Sequence, residues 1–167
     1  MKKIILLFIL ALMTIALVGC DEKTKEVTKG GVTITLPTTF KETETGYAQV
    51  YYLSSNAMFM ANKFYKNNYQ PSVRHSAQTL ADYMRYDNNL KYNGESASYS
   101  RVETADDGSE FAYLYYDNTV QNIEYTYMLV TKVSDTYCYI MNFASLKTDF
   151  EKFKGYFLKY AKTIRVI

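Results

Sequence analysis

The feature that most constrains this sequence is an almost uninterrupted apolar run near its start. Residues 4–18 follow Lys2 and Lys3 and contain one weakly polar residue, Thr14. A helix that spans a bilayer needs about 20 apolar residues, and this run is shorter. A positive start followed by a short apolar core is typical of a secretory signal. We therefore predict that residues 1–19 are a signal peptide and take no part in the fold.

The residues at the end of this run predict how it is removed. The motif Leu17-Val18-Gly19-Cys20 resembles the lipobox of bacterial lipoprotein precursors. The resemblance implies cleavage before Cys20 and a diacylglyceryl thioether on its sulfur, since a thiolate is a far better nucleophile than a hydroxyl. Two acyl chains are enough for durable anchoring. We therefore expect lipidation at Cys20 and a protein held on a bacterial cell membrane, facing outside the cytoplasm. An uncleaved membrane anchor is the alternative.

The remaining chain divides into a tether and a domain. Residues 20–30 are charged and lack apolar periodicity, which predicts a lipidated cysteine followed by a flexible tether. Residues 31–167 have the length of a single globular domain. Two of the 19 basic side chains lie in the signal, which leaves 17 against 17 acidic ones. This balance argues against nucleic acid as a partner, because such proteins usually carry a basic surface.

The pattern of the domain predicts an α+β fold. Ser76 is a plausible N-cap for a helix that ends near Leu90, and Thr148-Asp149-Phe150-Glu151 has the form of a capping box that opens a second helix. Short connections predict a mainly antiparallel sheet, and its central strands are apolar on both faces. We therefore expect a helix on each face. The predicted strands are 31–37, 47–53, 57–65, 97–104, 110–116, 123–133, 136–144 and 164–167.

Three local features resemble the PsbP-like superfamily. They are Gly31-Val32-Thr33-Ile34-Thr35-Leu36-Pro37 followed by Phe40, the helical segment Thr79-Leu80-Ala81-Asp82-Tyr83, and the ending Ile164-Arg165-Val166 after an aromatic helix. The resemblance implies an α/β/α sandwich and a non-catalytic accessory or partner-binding role. It transfers no functional residue.

The remaining candidate groups favour structural roles. His75 is the only histidine, and no serine lies in a Gly-x-Ser-x-Gly motif. Cys138 lies in a strand-like run, where a thiol is usually a small buried apolar group. Asp106-Asp107-Gly108-Ser109-Glu110 offers oxygens to calcium but lacks EF-hand spacing, and it is typical of a turn. We therefore predict no catalytic, cofactor-binding or metal-binding residue, and Cys20 is the only predicted site.

These observations favour a membrane-anchored binding or accessory module for an unknown protein or small-molecule partner. The first alternative is an extracytoplasmic hydrolase whose site is assembled in space from carboxylates or His75. A second alternative is an envelope-structural role in which a basic C-terminal face rests on anionic lipid. The cations of that face are Lys147, Lys152, Lys154, Lys159, Lys162 and Arg165.

Overall fold

The structure, a computed structural model, describes residues 23–46 and 48–167. The predicted signal peptide, the lipobox and Cys20 lie outside the described residues. The two helices of this part are α1 (Ala77–Asp87) and α2 (Phe150–Lys162). Its strands are β1 (Thr24–Lys29), β2 (Val32–Pro37), β3 (Lys41–Glu42), β4 (Val50–Leu53), β5 (Ala57–Tyr65), β6 (Lys91–Tyr92), β7 (Glu95–Ser96), β8 (Arg101–Thr104), β9 (Glu110–Val120), β10 (Ile123–Val133), β11 (Tyr137–Leu146) and β12 (Arg165–Val166).

The centre of the fold is a seven-stranded antiparallel sheet in the order β3-β4-β5-β11-β10-β9-β8. A three-stranded sheet, β1-β2-β12, and the small hairpin β6-β7 accompany it. Alternate residues of β9 show that the large sheet is covered on both sides. Phe111 and Tyr113 belong to the core beneath α2, whereas Ala112 and Leu114 pack in the cluster beneath α1. The predicted α+β fold, mainly antiparallel with a helix on each face, is confirmed.

The core beneath α2 is rich in aromatic rings. Phe143 of β11 lies with its ring centroid 4.8 Å from that of Phe59 and 5.3 Å from that of Phe157, within the range in which aromatic pairs attract. All three side chains are fully buried. Cys138 is buried on the opposite face of β11, which confirms the prediction that this thiol is a core group, and burial raises its pKa.

The prediction of a flexible tether over residues 20–30 is wrong for its second half. Thr24–Lys29 form strand β1, which pairs with β2 along its whole length. Val27 lies opposite Ile34 and packs against the core, although its neighbours are charged or polar. An edge strand with one buried face needs few apolar residues. Because this strand has a single valine, its sequence shows no alternation of apolar and polar residues that would predict a strand.

Two predicted turn and cap assignments are also corrected. The helix predicted to end near Leu90 stops at Asp87, and Asn93-Gly94 forms the turn between β6 and β7, with positive φ at both residues. This is the backbone that Asn-Gly favours in tight hairpins. The capping box predicted at residues 148–151 does not form, because α2 begins after Asp149 without a side-chain cap. A capping box does form at the start of α1, between Ser76 and Thr79.

Candidate binding surface

The face of the large sheet that carries α1 is wider than the helix. α1 packs on β8, β9 and β10, and β11, β5 and β4 continue the sheet beyond it. The strand register places side chains on this face in cross-strand rows. One row consists of Leu53, Met58, Ala144, Tyr127 and Tyr116, and the next consists of Tyr51, Met60, Asn142, Leu129 and Leu114.

Burial differs between the two faces of the same strands. On β5, Met58 and Met60 are half-buried, whereas Phe59 between them is completely buried beneath α2. Leu53 and Leu146, at the ends of β4 and β11, are 42% and 40% exposed. We call the surface formed by Leu53, Met58, Met60, Asn142 and Leu146 the open sheet face.

A connecting segment contacts the far end of the same face, where Phe64 is 38% exposed. The Phe64 ring of β5 meets the Tyr69 ring at a centroid distance of 6.3 Å, and Tyr69 meets Tyr83 of α1 at 6.1 Å. The segment between β5 and α1 therefore lies over the sheet near Phe64. The open sheet face lies on the half of the strands that is remote from this segment and from the start of α1.

A cleft of about 470 Å³ adjoins the open sheet face at the C-terminal end of α1. Met84, Leu90 and Ile140 contribute apolar walls. The Tyr116 hydroxyl donates a hydrogen bond of 3.1 Å to Asn142 Oδ1, and its ring stacks on Tyr127 at 4.9 Å. Burial raises the pKa of Tyr116, so the phenol is a neutral donor. The amides around it offer hydrogen bonds without charge, and they belong to Asn88, Asn89, Asn118 and Asn142.

The candidate residues for hydrolysis lie at a different cleft, of about 420 Å³. His75, Ser76, Asp107, Ser109 and Glu110 all line it. His75 is exposed and, among the described residues, hydrogen-bonds to no serine or carboxylate. The Ser76 hydroxyl caps α1. The structure thus brings these candidates to one cleft, where His75 makes none of the contacts to a serine that a general base would need.

Lys132, which also lines that cleft, was not predicted. Its side chain is 2% exposed and donates hydrogen bonds of 2.6 Å to Ser109 Oγ and to the Ile164 carbonyl. Burial lowers the pKa of Lys132, and the Asp107 carboxylate at 3.8 Å opposes that shift. Ser109 in turn donates to Asp107, which completes a chain of hydrogen bonds from the lysine to the carboxylate. The sequence feature that could have indicated this buried lysine is its position as the only lysine in the largely apolar strand β10.

The predicted basic C-terminal face is largely neutralised. Five of its six cations lie between 2.6 and 3.3 Å from a carboxylate oxygen. Asp149 at the N-cap of α2 and Glu151 in its first turn supply two of these carboxylates, and Asp117, Glu103 and Glu26 on strands supply the other three. The paired cations are Lys147, Lys152, Lys154, Lys162 and Arg165. Attraction of this face to anionic lipid is correspondingly weak.

Residues 23–46 and 48–167 contain neither a cluster of metal-binding side chains nor a helix that could cross a bilayer. No group of three or more histidine, cysteine, aspartate or glutamate side chains lies close enough there to hold a metal ion. The Asp107 turn is occupied by its own hydrogen bonds, with Gly108 at φ +81°. No helix in this part of the chain has the length and apolar character needed to cross a bilayer.

No protein-family model matches the sequence, and no curated protein is similar to it. Solved structures do resemble the fold. Cyanobacterial PsbP (CyanoP) from Synechocystis sp. PCC 6803 superposes with a TM-score of 0.64 at 10% identity, over 90% of this chain and 95% of that one. The Saccharomyces cerevisiae Ran-binding protein Mog1p gives 0.54 at 10%, over 87% and 96%. A protein from Bacteroides thetaiotaomicron gives 0.57 at 11%, over 87% and 49%. The chain therefore has a fold of the PsbP and Mog1 type.

Proposed function

We propose that the protein is a bacterial lipoprotein, anchored through Cys20 outside the cytoplasm, that binds a protein partner as a non-catalytic accessory module. The open sheet face is the observation that carries this proposal. Leu53 and Leu146 on it are exposed and Met58 and Met60 are half-buried, beside the buried Tyr51 and Ala144 of the same rows, whereas most side chains on the opposite face of these strands are buried. Contiguous exposed apolar surface on a soluble domain marks interaction sites.

The shape of this surface favours a protein over a small molecule. Its side chains form rows across β4, β5 and β11, whereas small ligands are held in concave pockets that enclose most of their surface. Met58 and Met60 lie at its centre, and methionine adapts to irregular partner surfaces. Asn142 adds a polar group that orients a partner. The fold supports the proposal, because Mog1p is a Ran-binding protein with the same architecture.

Lipidation of Cys20 is tested separately from partner binding. Cells that produce the wild-type chain should incorporate labelled fatty acid into it, and Cys20→Ser should abolish the label. The wild-type protein should fractionate with membranes. A Cys20→Ser protein that still takes up fatty acid would contradict the proposed anchor and leave the open sheet face untouched.

Partner binding is tested by site-specific photo-cross-linking in the native host. A benzophenone amino acid at Met60 and another at Leu53 should give the same discrete adduct, because both positions lie on the open sheet face. The same probe at Tyr86, which is 81% exposed on α1, is the control and should give none of that adduct. Met58→Glu should reduce the Met60 adduct at least about tenfold, since an unpaired carboxylate is costly to bury. Identical adducts from all three positions would refute the proposal.

A further inference from the structure

A second apolar feature lies on the other side of the molecule, beside α2. It is a groove of about 320 Å³ between the end of β2 and the helix. Pro37 and Phe40 form one wall, and the turn between β4 and β5 closes one end. The helix contributes aromatic rings at successive turns, which are those of Phe153, Tyr156, Phe157 and Tyr160. We call this feature the aromatic groove.

The rings of the aromatic groove are graded in exposure. Phe157 is completely buried, Phe153 is half-buried and Tyr156 is 53% exposed. Phe153 stacks on Phe157 at 5.7 Å, which continues the core outward to the surface. An aromatic body with a polar tip at the rim suits the boundary between water and lipid, where tyrosine is enriched.

The chain enters the domain at this groove. The Thr38 amide donates a hydrogen bond of 2.8 Å to the Lys23 carbonyl, and Thr38 stands between the groove residues Pro37 and Thr39. Cys20 is three residues before Lys23. An extended chain spans at most about 3.5 Å per residue, so lipid on Cys20 keeps Lys23, at the edge of the groove, within roughly 10 Å of the bilayer surface.

We propose that the aromatic groove is a membrane-contact surface, whose occupant is phospholipid of the bilayer that holds the anchor. Tyr156 and Phe153 lie at the level of the headgroups, and the groove receives the upper part of a lipid. The contact is apolar, because Pro37, Phe40 and the rings of α2 form the walls of the groove and no charged side chain of the described residues lines it. This inference rests on the proposed lipidation of Cys20.

The sequence contains no tryptophan, so a single introduced tryptophan can serve as the fluorescent probe. In the lipidated full chain, Tyr156→Trp places a single tryptophan at the rim of the groove. Tyr65→Trp is the matched control, because Tyr65 is similarly exposed, at 62%. It lies at the far end of β5, roughly 25 Å along the strand from the turn that closes the groove. Both proteins are reconstituted into neutral phosphatidylcholine vesicles, with and without brominated acyl chains.

We expect brominated lipid to quench the emission of Tyr156→Trp about twofold or more, since an interfacial indole sits at the headgroup boundary. Tyr65→Trp should be quenched far less. The effect should be the same at low and high salt and should need no anionic lipid. Equal quenching at the two positions, or none at position 156 in vesicle-bound protein, would overturn the inference. If the protein carries no fatty acid and does not stay with vesicles, the proposed anchor fails instead.

Discussion

At the scale of single residues, Lys132 is the most consequential side chain that the structure reveals. Its ammonium group joins the end of α2 to the turn before β9, because it donates both to the Ile164 carbonyl and to Ser109. Ile164 follows the C-cap of α2, and a buried carbonyl at such a position needs a donor. The lysine meets this need from a strand of the central sheet.

Lys132→Met should therefore destabilise the protein by about 1–3 kcal/mol, because it leaves the buried Ile164 carbonyl without its donor while preserving side-chain volume. Urea unfolding followed by circular dichroism measures the change. Lys152→Met, which removes a 75% exposed ammonium group, is the control and should change the free energy of unfolding by less than about 0.5 kcal/mol. A Lys132→Met protein as stable as wild type would show that the bond to Ile164 contributes nothing.

Two half-buried tyrosines, Tyr115 and Tyr116, give the protein a pH dependence in the alkaline range. Burial raises the pKa values of Tyr115 and Tyr116. Above about pH 10, the ordinary pKa of tyrosine, the unfolded chain loses these protons before the folded protein does. The free energy of unfolding therefore decreases as the pH rises.

Tyr116→Phe removes one such group, so its stability should fall less steeply between about pH 9.5 and pH 11, by at most about 1.4 kcal/mol per pH unit. Urea unfolding at several pH values measures both slopes. Tyr86→Phe at an exposed position is the matched control for loss of a hydroxyl. A Tyr116→Phe slope steeper than that of wild type would contradict the assignment.

At the scale of elements, the sequence predicted the helices and strands whose cap, turn or apolar alternation lies within the segment itself. Ser76 at the start of α1, the hairpin of β4 and β5, and the pair β10 and β11 were all placed within a few residues. β1 was missed because its one core contact, Val27, has no apolar neighbour in the strand. Its strand geometry comes from pairing with β2, which no local pattern encodes.

The strand assignment of residues 24–29 predicts resistance to trypsin. In the folded wild-type protein, Lys25 and Lys29 should be cut slowly, because a paired strand does not fit a protease site. Val27→Asp should increase the rate about tenfold, since burial of a valine side chain contributes roughly 1.5 kcal/mol. Thr28→Asp adds the same charge at an exposed position and should leave the rate near that of wild type. Peptide mass mapping identifies the cuts, and equal rates in both variants would refute the pairing.

At the scale of the whole molecule, the sequence predicted the layers but not the binding surface. Met58 and Met60 look like core residues, because the strand pattern cannot show how far a helix extends across a sheet. Only the position of α1 over β8, β9 and β10 leaves the other half of that face accessible. The aromatic groove could not be predicted from the sequence for a related reason. Phe40 and Phe153 both line it, but they are far apart in the chain and only the fold brings them to one groove.

The two apolar surfaces have separate tasks in our proposals, and the short connection to Cys20 links one of them to the membrane. Ten glycine and serine residues inserted between Glu22 and Lys23 should lower the effective concentration of the domain at the bilayer by roughly ninefold, because it falls with about the −3/2 power of linker length. Fatty acid incorporation should not change.

In the protein with the ten-residue insertion, quenching of Tyr156→Trp by brominated lipid should therefore fall toward that of Tyr65→Trp. Cross-linking from Met60 should persist, because the open sheet face does not depend on membrane contact. Quenching that is unchanged by the insertion would mean that the groove binds lipid without help from the anchor. Loss of the Met60 adduct together with the quenching would mean that the partner is met only when the domain rests on the bilayer, which contradicts the separation of the two surfaces.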